Sequence, residues 1–600
     1  MLPTILDLAT LGDLYASGAL TPVALAEAVA DRMAASRDPA IFITPVGREA
    51  LRAAAEDLMA RAPEPNSLPL WGVPFTVKDN IDVAGMPTTA ACPAFAYGAQ
   101  ADAHVVAKLK AAGALVTGKT NLDQFATGLN GTRSPYGAPR SVFSADHISG
   151  GSSSGAAVSV AAGLASFALG TDTAGSGRVP AAFNNLVGIK PTPGLVSSTG
   201  LVPACRSLDC ISVFAASVGD GIAIRRAMEG FDARDPFSRP AIPHALPPRG
   251  LRVGVLAHPE REFYGDAGTE ALYDAAVVRL AGLGASAVPF DYAPFREIAA
   301  LLYQGPWVAE RLAAIEGFFG EHADAMDASV RGIVESARGY SAADAFRGRY
   351  ALEALRRRTD AVFAELDLLL LPTAPTTYTV AEMLGDPVRL NSRLGLYTNF
   401  ANLLGCAAIA IPAGFGPDGL PGGVTLVGPA FSDEALAPLA DALHRAAQCG
   451  MGIDRAAPVP SASRVARAPS ETIALVVVGA HLSGLPLNHQ LVDLGGTLLA
   501  RTRTARDYRL YALPGTHPAK PGLVCEPGFG GPGLAVEVWG LTPAAFGRFV
   551  DAIPAPLGIG KIRLQDGRLV SGFLCEAHAI AGATEVTAYG GWRAFVEASD

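Results

Sequence analysis

Short apolar runs alternate with helical segments along most of this 600-residue chain, and this alternation restricts the fold more than any other feature. A chain that interleaves strands with helices buries its sheet between helical layers. We therefore predict an α/β fold with a largely buried sheet. Thr21 and Pro22 predict the N-cap and first residue of an early helix. The strand-like runs are Trp71–Val77, Ala114–Thr117, Leu251–Val255, Leu368–Leu371 and Ala407–Ile411, and further helical stretches are Ala103–Ala112, Ala156–Leu169 and Ala271–Leu283.

The C-terminal part of the chain has a different character. Residues 454–470 are rich in proline, alanine, serine and arginine, a composition typical of a linker. Strand-like runs with glycine-rich connections follow that segment. We expect one domain over residues 1–454, a linker over 455–470 and a smaller, β-rich domain over 471–600. The runs in this last domain are Ile473–Val478, Leu534–Val538, Lys561–Leu564 and Leu569–Phe573.

Composition and charge exclude several classes of partner. The net charge is −9, so the sequence lacks the basic surface that binds nucleic acid or an anionic membrane. The longest uncharged runs, His147–Thr171 and Leu394–Pro417, contain Gly-Ser or Asn and Pro residues and predict no membrane span. Seven scattered cysteines without C-x-x-C spacing indicate reduced thiols and no zinc site. No basic residue precedes Arg32 to form a signal-peptide n-region, so we expect a cytoplasmic protein.

Two short motifs match known patterns but lie in the wrong context. Gly113–Thr120 fits the P-loop pattern, yet its first glycine follows a helical run and the residues between its glycines are apolar. Gly151–Gly155 fits the nucleophile elbow of Ser-His-Asp hydrolases, but no buried strand runs into it. We expect no nucleotide binding, and we keep the Ser-His-Asp hydrolase as a second interpretation.

Three separated segments form a stronger combination. The apolar run Trp71–Val77 ends at Lys78, a Gly-Gly-Ser-Ser-Ser-Gly loop contains Ser152, and a small-residue turn contains Ser176, 24 residues later. Burial lowers the pKa of a lysine, which can then act as a general base. Consecutive N–H groups in the turn Thr173–Gly175 can hold an oxyanion. Taken singly, Lys78 is equally well read as a solvated strand end and Ser176 as an ordinary turn residue.

Lys78, the Gly150–Ser153 loop and the run Asp172–Pro180 together resemble the amidase signature family, and the likeness covers most of the first predicted domain. The resemblance implies a mixed central sheet covered by helices and hydrolysis of linear amides, with no metal or organic cofactor. It implies Ser176 as nucleophile, Ser152 with a cis peptide bond as proton relay, and Lys78 as the base. It further implies that the oxyanion is held by the N–H groups of Thr173, Ala174, Gly175 and Ser176.

Within that family the chain is similar to the allophanate hydrolases, through the runs at 121–137, 394–405 and 422–436. In that subgroup a Tyr and an Arg eight residues apart bind the substrate carboxylate, and Tyr303 and Arg311 fit this spacing. The residues implied for the amide end of the pocket are Thr127 and Gly128.

Local sequence also bears on the Tyr–Arg pair. Pro306 predicts the start of a helix, with Tyr303 in the preceding loop and Arg311 in its second turn. An arginine fork suits a planar carboxylate. Without the resemblance, Arg311 beside Glu310 is equally a solvated helical charge.

The tail resembles the C-terminal domain of allophanate hydrolases and, more distantly, the γ-glutamylcyclotransferase-like fold. The resemblance implies a second step, decarboxylation of the N-carboxycarbamate left after ammonia release. His481 and His489 are the candidate residues, with Glu537 and Tyr511 as further polar groups, and each histidine is equally a structural residue.

The resemblance implies allophanate as the substrate, a urea carboxylase as the enzyme that supplies it, and a homodimer. One alternative is another amidase or a glutamyl-tRNA amidotransferase A-type subunit, with the tail as a dimerisation or docking module. The non-enzymatic alternative is an inactive scaffold that carries a binding tail.

Overall fold

The computed structural model divides the chain into two compact units, Met1–Ala466 and Arg467–Asp600. It describes residues 2–599 except 243, 245, 248, 249 and 461–471. Most of the predicted linker, residues 461–470, lies outside the described residues. The domain boundaries given above therefore stay predictions.

The first unit consists of a large sheet with helices packed against it. Its strands are β1 Phe42–Pro45, β2 Pro74–Lys78, β3 Pro87–Thr88, β4 Tyr97–Gly98, β5 Leu115–Thr120, β6 Arg140–Ser141, β7 Ser144–Ile148, β8 Phe167–Asp172, β9 Val187–Lys190, β10 Cys210–Ala215, β11 Arg252–Leu256, β12 Ser286–Phe290, β13 Leu368–Pro372, β14 Ala407–Phe415 and β15 Pro421–Gly428. Its helices are α1 Leu8–Ala16, α2 Pro22–Ala35, α3 Arg48–Arg61, α4 His104–Ala111, α5 Ser154–Ala161, α6 Val179–Phe183, α7 Val218–Met228, α8 Ala267–Gly282, α9 Ala293–Gln304, α10 Val308–His322, α11 Ala328–Ser336, α12 Ala342–Glu365, α13 Val380–Gly385, α14 Arg389–Leu394, α15 Phe400–Leu403 and α16 Asp433–Ala447. Short 3-10 turns lie at Pro93–Phe95, Gln124–Ala126, His258–Glu260, Ala323–Ala325 and Ala337–Gly339.

The main sheet of this unit has eleven strands in the order β1-β5-β2-β8-β10-β9-β14-β15-β13-β11-β12. Its pairs are mixed: β2 runs parallel to β5 and β8, β11 runs parallel to β12 and β13, and the other pairs are antiparallel. Strands β2, β8, β10 and β13 are buried along their whole length, as expected for a sheet covered on both faces. The predicted α/β fold with a mixed, helix-covered sheet is confirmed.

Most of the predicted elements are present, and one is partly wrong. Thr21 caps α2, because its hydroxyl accepts the N–H of Ala24 at 3.1 Å, and Pro22 is the first helical residue. The helix predicted over Ala156–Leu169 ends at Ala161, and Phe167–Asp172 is strand β8. Small residues such as Ala and Gly carry little periodicity, so the end of the helix and the start of the strand look alike in sequence.

Two parallel strands determine where polar groups collect. β2 and β8 are neighbours, with Val77 opposite Leu169, so their carboxyl ends lie at the same edge of the sheet. Lys78 ends β2, and Thr171 and Asp172 end β8. This edge is where a site is expected in an open α/β sheet.

The second unit is β-rich and has its own apolar core. Its strands are β16 Ile473–Val477, β17 Thr497–Arg503, β18 Tyr508–Ala512, β19 Pro521–Cys525, β20 Ala535–Leu541, β21 Leu557–Arg563, β22 Leu569–Cys575 and β23 Thr584–Glu585, and its helices are α17 His489–Asp493, α18 Pro543–Asp551 and α19 Trp592–Glu597, with 3-10 turns at Ala577–Ile580 and Thr587–Tyr589. They form a five-stranded sheet, β17-β20-β16-β22-β21, and a three-stranded one, β19-β18-β23. The predicted β-rich character is confirmed.

Two sequence inferences about cysteines and membranes can be checked on the described residues. All seven cysteines are free thiols, five of them buried. No described helix has the length and apolarity needed to cross a bilayer.

Candidate active site

Lys78 lies fully buried at the end of β2 and contacts two hydroxyl groups. Its Nζ donates to Ser152 Oγ at 2.7 Å and to Thr171 Oγ1 at 2.6 Å. Burial lowers the pKa of Lys78 to about 7, although the charges of Asp123, Asp209 and Asp172 oppose that lowering. A neutral amine is therefore accessible near pH 7, beside a serine hydroxyl.

The loop that carries Ser152 is packed tightly around Asp123. The Gly151–Ser152 peptide bond is cis, as the resemblance implies. The carboxylate of Asp123 accepts N–H groups from the opposite turn, Asn130 at 3.2 Å and Gly131 at 3.0 Å. A Cβ at Gly151 would lie 2.2 Å from Asp123 Oδ2, so only glycine fits there.

The second loop follows β8 and is held by a buried ion pair. Asp172 Oδ1 accepts the N–H of Gly175 at 2.9 Å, and Oδ2 accepts that of Gly177 at 3.1 Å. Arg178 binds both carboxylate oxygens, with Nε at 2.8 Å and a terminal nitrogen at 2.9 Å. Burial alone would raise the pKa of Asp172, but the Arg178 guanidinium, the charge of Lys190 and the N–H of Gly177 together outweigh burial, and the pKa is lowered. Asp172 is thus a fixed anion that orients the backbone of this loop.

The contacts of Asp172 reduce the number of N–H groups that are available to hold an oxyanion. The N–H of Gly175 already has Asp172 as its acceptor, so it is not directed at a ligand in this structure. Of the predicted oxyanion donors, the backbone N–H groups of Thr173, Ala174 and Ser176 have no acceptor within the described part of the chain.

Ser176 is buried at the end of the same loop. Its Oγ donates to the carbonyl of Gly128 at 3.4 Å, and among the described residues no hydrogen bond joins it to Ser152. Catalytic hydrogen bonds are often long in a site without substrate and shorten when one binds. The structure thus places Lys78 in hydrogen-bond contact with Ser152, and Ser176 in hydrogen-bond contact with the segment Thr127–Gly128.

The predicted carboxylate-binding residues lie together. Arg311 is 2% exposed, and its terminal nitrogens donate to Thr127 Oγ1 at 2.9 Å and to Tyr303 Oη at 3.1 Å. Its Nε has no partner among the described residues. Glu310 instead binds Ser207, so no carboxylate among the residues that the structure describes forms an ion pair with the buried Arg311, and the charges of Asp209 and Glu310 act on it only through space. The interpretation of Arg311 as a solvated helical charge is wrong.

Two local predictions around this pair were also wrong. Tyr303 lies in the last turn of α9, and α10 starts at Val308. The helix therefore does not open at Pro306, and Tyr303 is not in a loop. The break between the helices, Gly305 to Trp307, still turns Tyr303 and Arg311 toward each other: the guanidinium lies 5.0 Å from the tyrosine ring centroid.

Three residues near the site were not predicted. Thr171 binds Lys78, Asp209 accepts the hydroxyl of Thr173, and Thr398 Oγ1 donates to the carbonyl of Ala174 at 2.6 Å. Burial raises the pKa of Asp209 to about 6. Thr171 and Thr398 stand in segments already singled out, Thr398 in the run at 394–405, but no spacing rule connects Asp209 or Thr398 to the loop that carries Ser176.

The two misleading motifs have structural roles. Gly113 follows α4 with φ +97, and the rest of the P-loop match is strand β5. Its lysine, Lys119, is buried in an ion pair 3.0 Å from Asp79. β7, which precedes the Gly151–Gly155 match, is exposed or half-buried except at Ile148, so it is not a buried strand. Neither motif therefore lies in the structural context that its usual function requires.

In the second unit the two candidate histidines differ in environment. His481 lines a cavity of about 300 Å³, stacks on Phe573 and accepts or donates a 2.9 Å hydrogen bond with Gln490. Burial lowers its pKa. His489 is exposed, and its Nδ1 contacts the carbonyl of Pro486 at 2.9 Å.

The two further polar residues named for the tail also lie apart from that cavity. Glu537 accepts hydrogen bonds from Ser483 and Trp539, and these outweigh burial and lower its pKa. Tyr511 lies in β18. Of the candidates in this unit, His481 lines this cavity, and Glu537 lines a separate, open cavity of about 850 Å³.

Comparison with known protein families gives two matches that together span most of the chain. The Amidase family matches residues 24–437. The family described as the allophanate hydrolase C-terminal domain matches residues 473–597.

Individual relatives agree with these matches. A urea amidolyase of Lachancea kluyveri is 46% identical over 88% of this chain, and the chain spans 30% of the length of that relative. A glutamyl-tRNA(Gln) amidotransferase A-type subunit of Symbiobacterium thermophilum is 36% identical over 73% of the chain and 96% of its own length. A solved allophanate hydrolase of Kluyveromyces lactis is 39% identical, with a TM-score of 0.82 and full coverage of both chains.

Proposed function

This chain belongs to the amidase family, and from that premise we propose that its first unit hydrolyses the amide bond of allophanate and releases ammonia. The observation that carries the proposal is that hydrogen bonds join Lys78 to Ser152 and to the end of β8, Ser176 of the following loop to Gly128, and the adjacent Thr127 to Arg311. A base lies at one end of this set, and at the other lies a buried cation without an ion-pair partner among the described residues. A substrate with an amide near a carboxylate, such as allophanate, matches both ends.

The catalytic sequence follows from the positions of the three side chains. Neutral Lys78 takes a proton from Ser152, which takes the proton of Ser176 as its Oγ attacks the amide carbonyl. The N–H groups of Ala174 and Ser176 stabilise the negative oxygen of the tetrahedral intermediate. The proton then returns through Ser152 to the leaving nitrogen, which departs as ammonia. Water, activated by the same relay, hydrolyses the acyl-enzyme on Ser176.

Arg311 supplies selectivity for an anionic substrate. Its guanidinium is buried, and Thr127 and Tyr303 fix its plane through neutral hydroxyls. A buried charge without a directly paired counter-ion is costly, so a substrate carboxylate that pairs with it binds strongly. In the proposed complex the carboxylate of allophanate occupies this end, and Gly128 lines the amide end beside Ser176.

We further propose that the second unit assists decarboxylation of the N-carboxycarbamate product, with His481 or His489 as the proton-transferring group. Support comes from the family match over residues 473–597 and from the cavity beside His481. A urea carboxylase is the proposed source of allophanate, since the relatives include urea amidolyases. We also propose that the protein is a homodimer located in the cytoplasm.

Lys78→Arg tests the base directly. Arginine keeps the positive charge but cannot lose its proton, so the variant should lose about 10²–10⁴-fold in kcat, nearly as much as Lys78→Ala. The measurement is ammonia release from allophanate, with Lys110→Arg, at a partly exposed lysine, as the matched control. Substantial activity in Lys78→Arg would contradict the role of Lys78 and favour the Ser-His-Asp interpretation.

Arg311→Lys tests the substrate. A point charge does not reproduce the planar fork, so KM for allophanate should rise roughly tenfold to a hundredfold. Neutral amides should lose little, and the exposed Arg347→Lys should change neither. Equal losses on charged and neutral amides would mean that Arg311 has a structural role. A preference for glutamine over allophanate in the unaltered enzyme would instead support the amidotransferase alternative.

His481→Ala and His489→Ala in the full chain test the second unit. Complete breakdown of one allophanate gives two ammonia molecules, and only the first is released by the amidase step. A variant that lacks the proton-transferring group should therefore show an unchanged first release and a delayed second one, with delayed carbon dioxide. If both variants release carbon dioxide without delay, neither histidine takes part, and the tail is better explained as a dimerisation or docking module.

A further inference from the structure

The loop that carries Ser176 is held by hydrogen bonds to side chains outside the proposed Lys78–Ser152–Ser176 relay. Thr398 Oγ1 donates to the carbonyl of Ala174 at 2.6 Å, and Asp172 Oδ1 accepts the N–H of Gly175 at 2.9 Å. The peptide unit between Ala174 and Gly175 is therefore bonded at both ends. Its orientation determines the direction of the neighbouring N–H groups, those of Ala174 and Ser176.

Thr398 is itself packed against this loop. It is fully buried in the connection between α14 and α15, and its own carbonyl accepts from Arg178 at 3.2 Å. A Cβ at Gly175, whose φ is +132, would lie 2.4 Å from Thr398 Oγ1. Glycine at 175 is therefore needed to admit the Thr398 hydroxyl.

Asp209 holds the other end of the loop. Its carboxylate accepts the hydroxyl of Thr173, the N–H of Ala204 at 2.8 Å and the N–H of Cys205 at 3.3 Å. It is 8% exposed, so these contacts lie in the interior. The loop is thus attached to a second segment that is distant in sequence.

We propose that Thr398 and Asp209 are positioning residues for the amidase reaction, which aim the N–H groups of Ala174 and Ser176 at the developing oxyanion. The assignment rests on the proposed function, and neither residue touches the substrate. Preorganised donors stabilise a transition state because they need no reorientation during the reaction. Loss of either support should therefore reduce kcat more than it raises KM.

Asp209 has a second, electrostatic effect on the site. The groups whose charges act on Lys78 are Asp123, Asp172 and Asp209, and each favours the protonated lysine. Removing the charge of Asp209 should therefore lower the pKa of Lys78 further. Asp209→Asn and Thr173→Val separate the two effects, since only the first removes a charge.

The experiment compares Thr398→Val with Thr398→Ser in the full-length enzyme. Valine removes the hydroxyl at nearly constant volume, so kcat should fall roughly tenfold or more, toward the ~10²–10³-fold cost of losing a direct donor. KM should stay within about threefold, and serine should restore most of kcat because it keeps the donor. Labelling of Ser176 by a fluorophosphonate should slow in parallel with kcat, because it uses the same loop.

The pH profile provides the second readout. Asp209→Asn should lower kcat and move the rising limb of the profile to lower pH, whereas Thr173→Val should lower kcat without moving that limb. Unchanged kcat and labelling in Thr398→Val, or a failure of serine to restore them, would overturn the assignment of Thr398. If the rising limb of the pH profile does not move in Asp209→Asn, the proposed electrostatic effect of Asp209 on Lys78 is wrong.

The labelling measurement separates this inference from the proposed function. If the unaltered enzyme does not hydrolyse allophanate but labels at Ser176, the substrate assignment fails. The same comparison of Thr398→Val and Thr398→Ser by labelling rate then still decides the role of Thr398.

Discussion

The burial of Lys78 without a carboxylate partner among the described residues is the constraint on which the rest of the site depends. Lys119, one strand away on β5, is also buried, but it forms an ion pair with Asp79 at 3.0 Å. Lys78 instead contacts two neutral hydroxyls, and the acidic residues near it act only through space. Desolvation without a paired charge is what lowers a lysine pKa toward neutrality. The ion pair with Asp79 opposes the lowering of the pKa that burial causes at Lys119, whereas Lys78 has no such pair and lies against the hydroxyl of Ser152, which makes Lys78 the lysine suited to proton transfer.

The surrounding structure maintains that environment. Parallel β2 and β8 bring Lys78 and Thr171 to one edge of the sheet, where the amine is fully buried. Asp123 and Asp172 are two of the anions that act on Lys78, and each is occupied by backbone N–H groups or by Arg178. The hydrogen bonds that these two carboxylates accept hold the two loops in place. Among the described residues, neither carboxylate forms an ion pair with Lys78.

Sequence was sufficient for the fold class and for singling out the segments that carry Lys78, Ser152 and Ser176, for identifiable reasons. An apolar run that stops at Lys78 predicts a buried strand end, and the two glycine-serine loops have distinctive composition. The predicted element boundaries were wrong where local signals were weak. The Ala- and Gly-rich sequence shows no change of periodicity between α5 and β8. Pro306 lies between two helices and does not begin one. Asp209 and Thr398 could not be found this way, because their contacts depend on tertiary packing between distant segments.

The pH dependence of kcat/KM for allophanate tests the central claim most directly, because it reports the protonation of the free enzyme. Since the pKa of Lys78 is lowered to about 7, the base is neutral above that pH and protonated below it. The account predicts that kcat/KM falls as the pH drops through about 7 and is level above it, with the falling limb absent from the residual activity of Lys78→Ala. If kcat/KM instead begins to fall near the ordinary pKa of lysine, or stays level well below pH 7, the role of Lys78 as the base is contradicted.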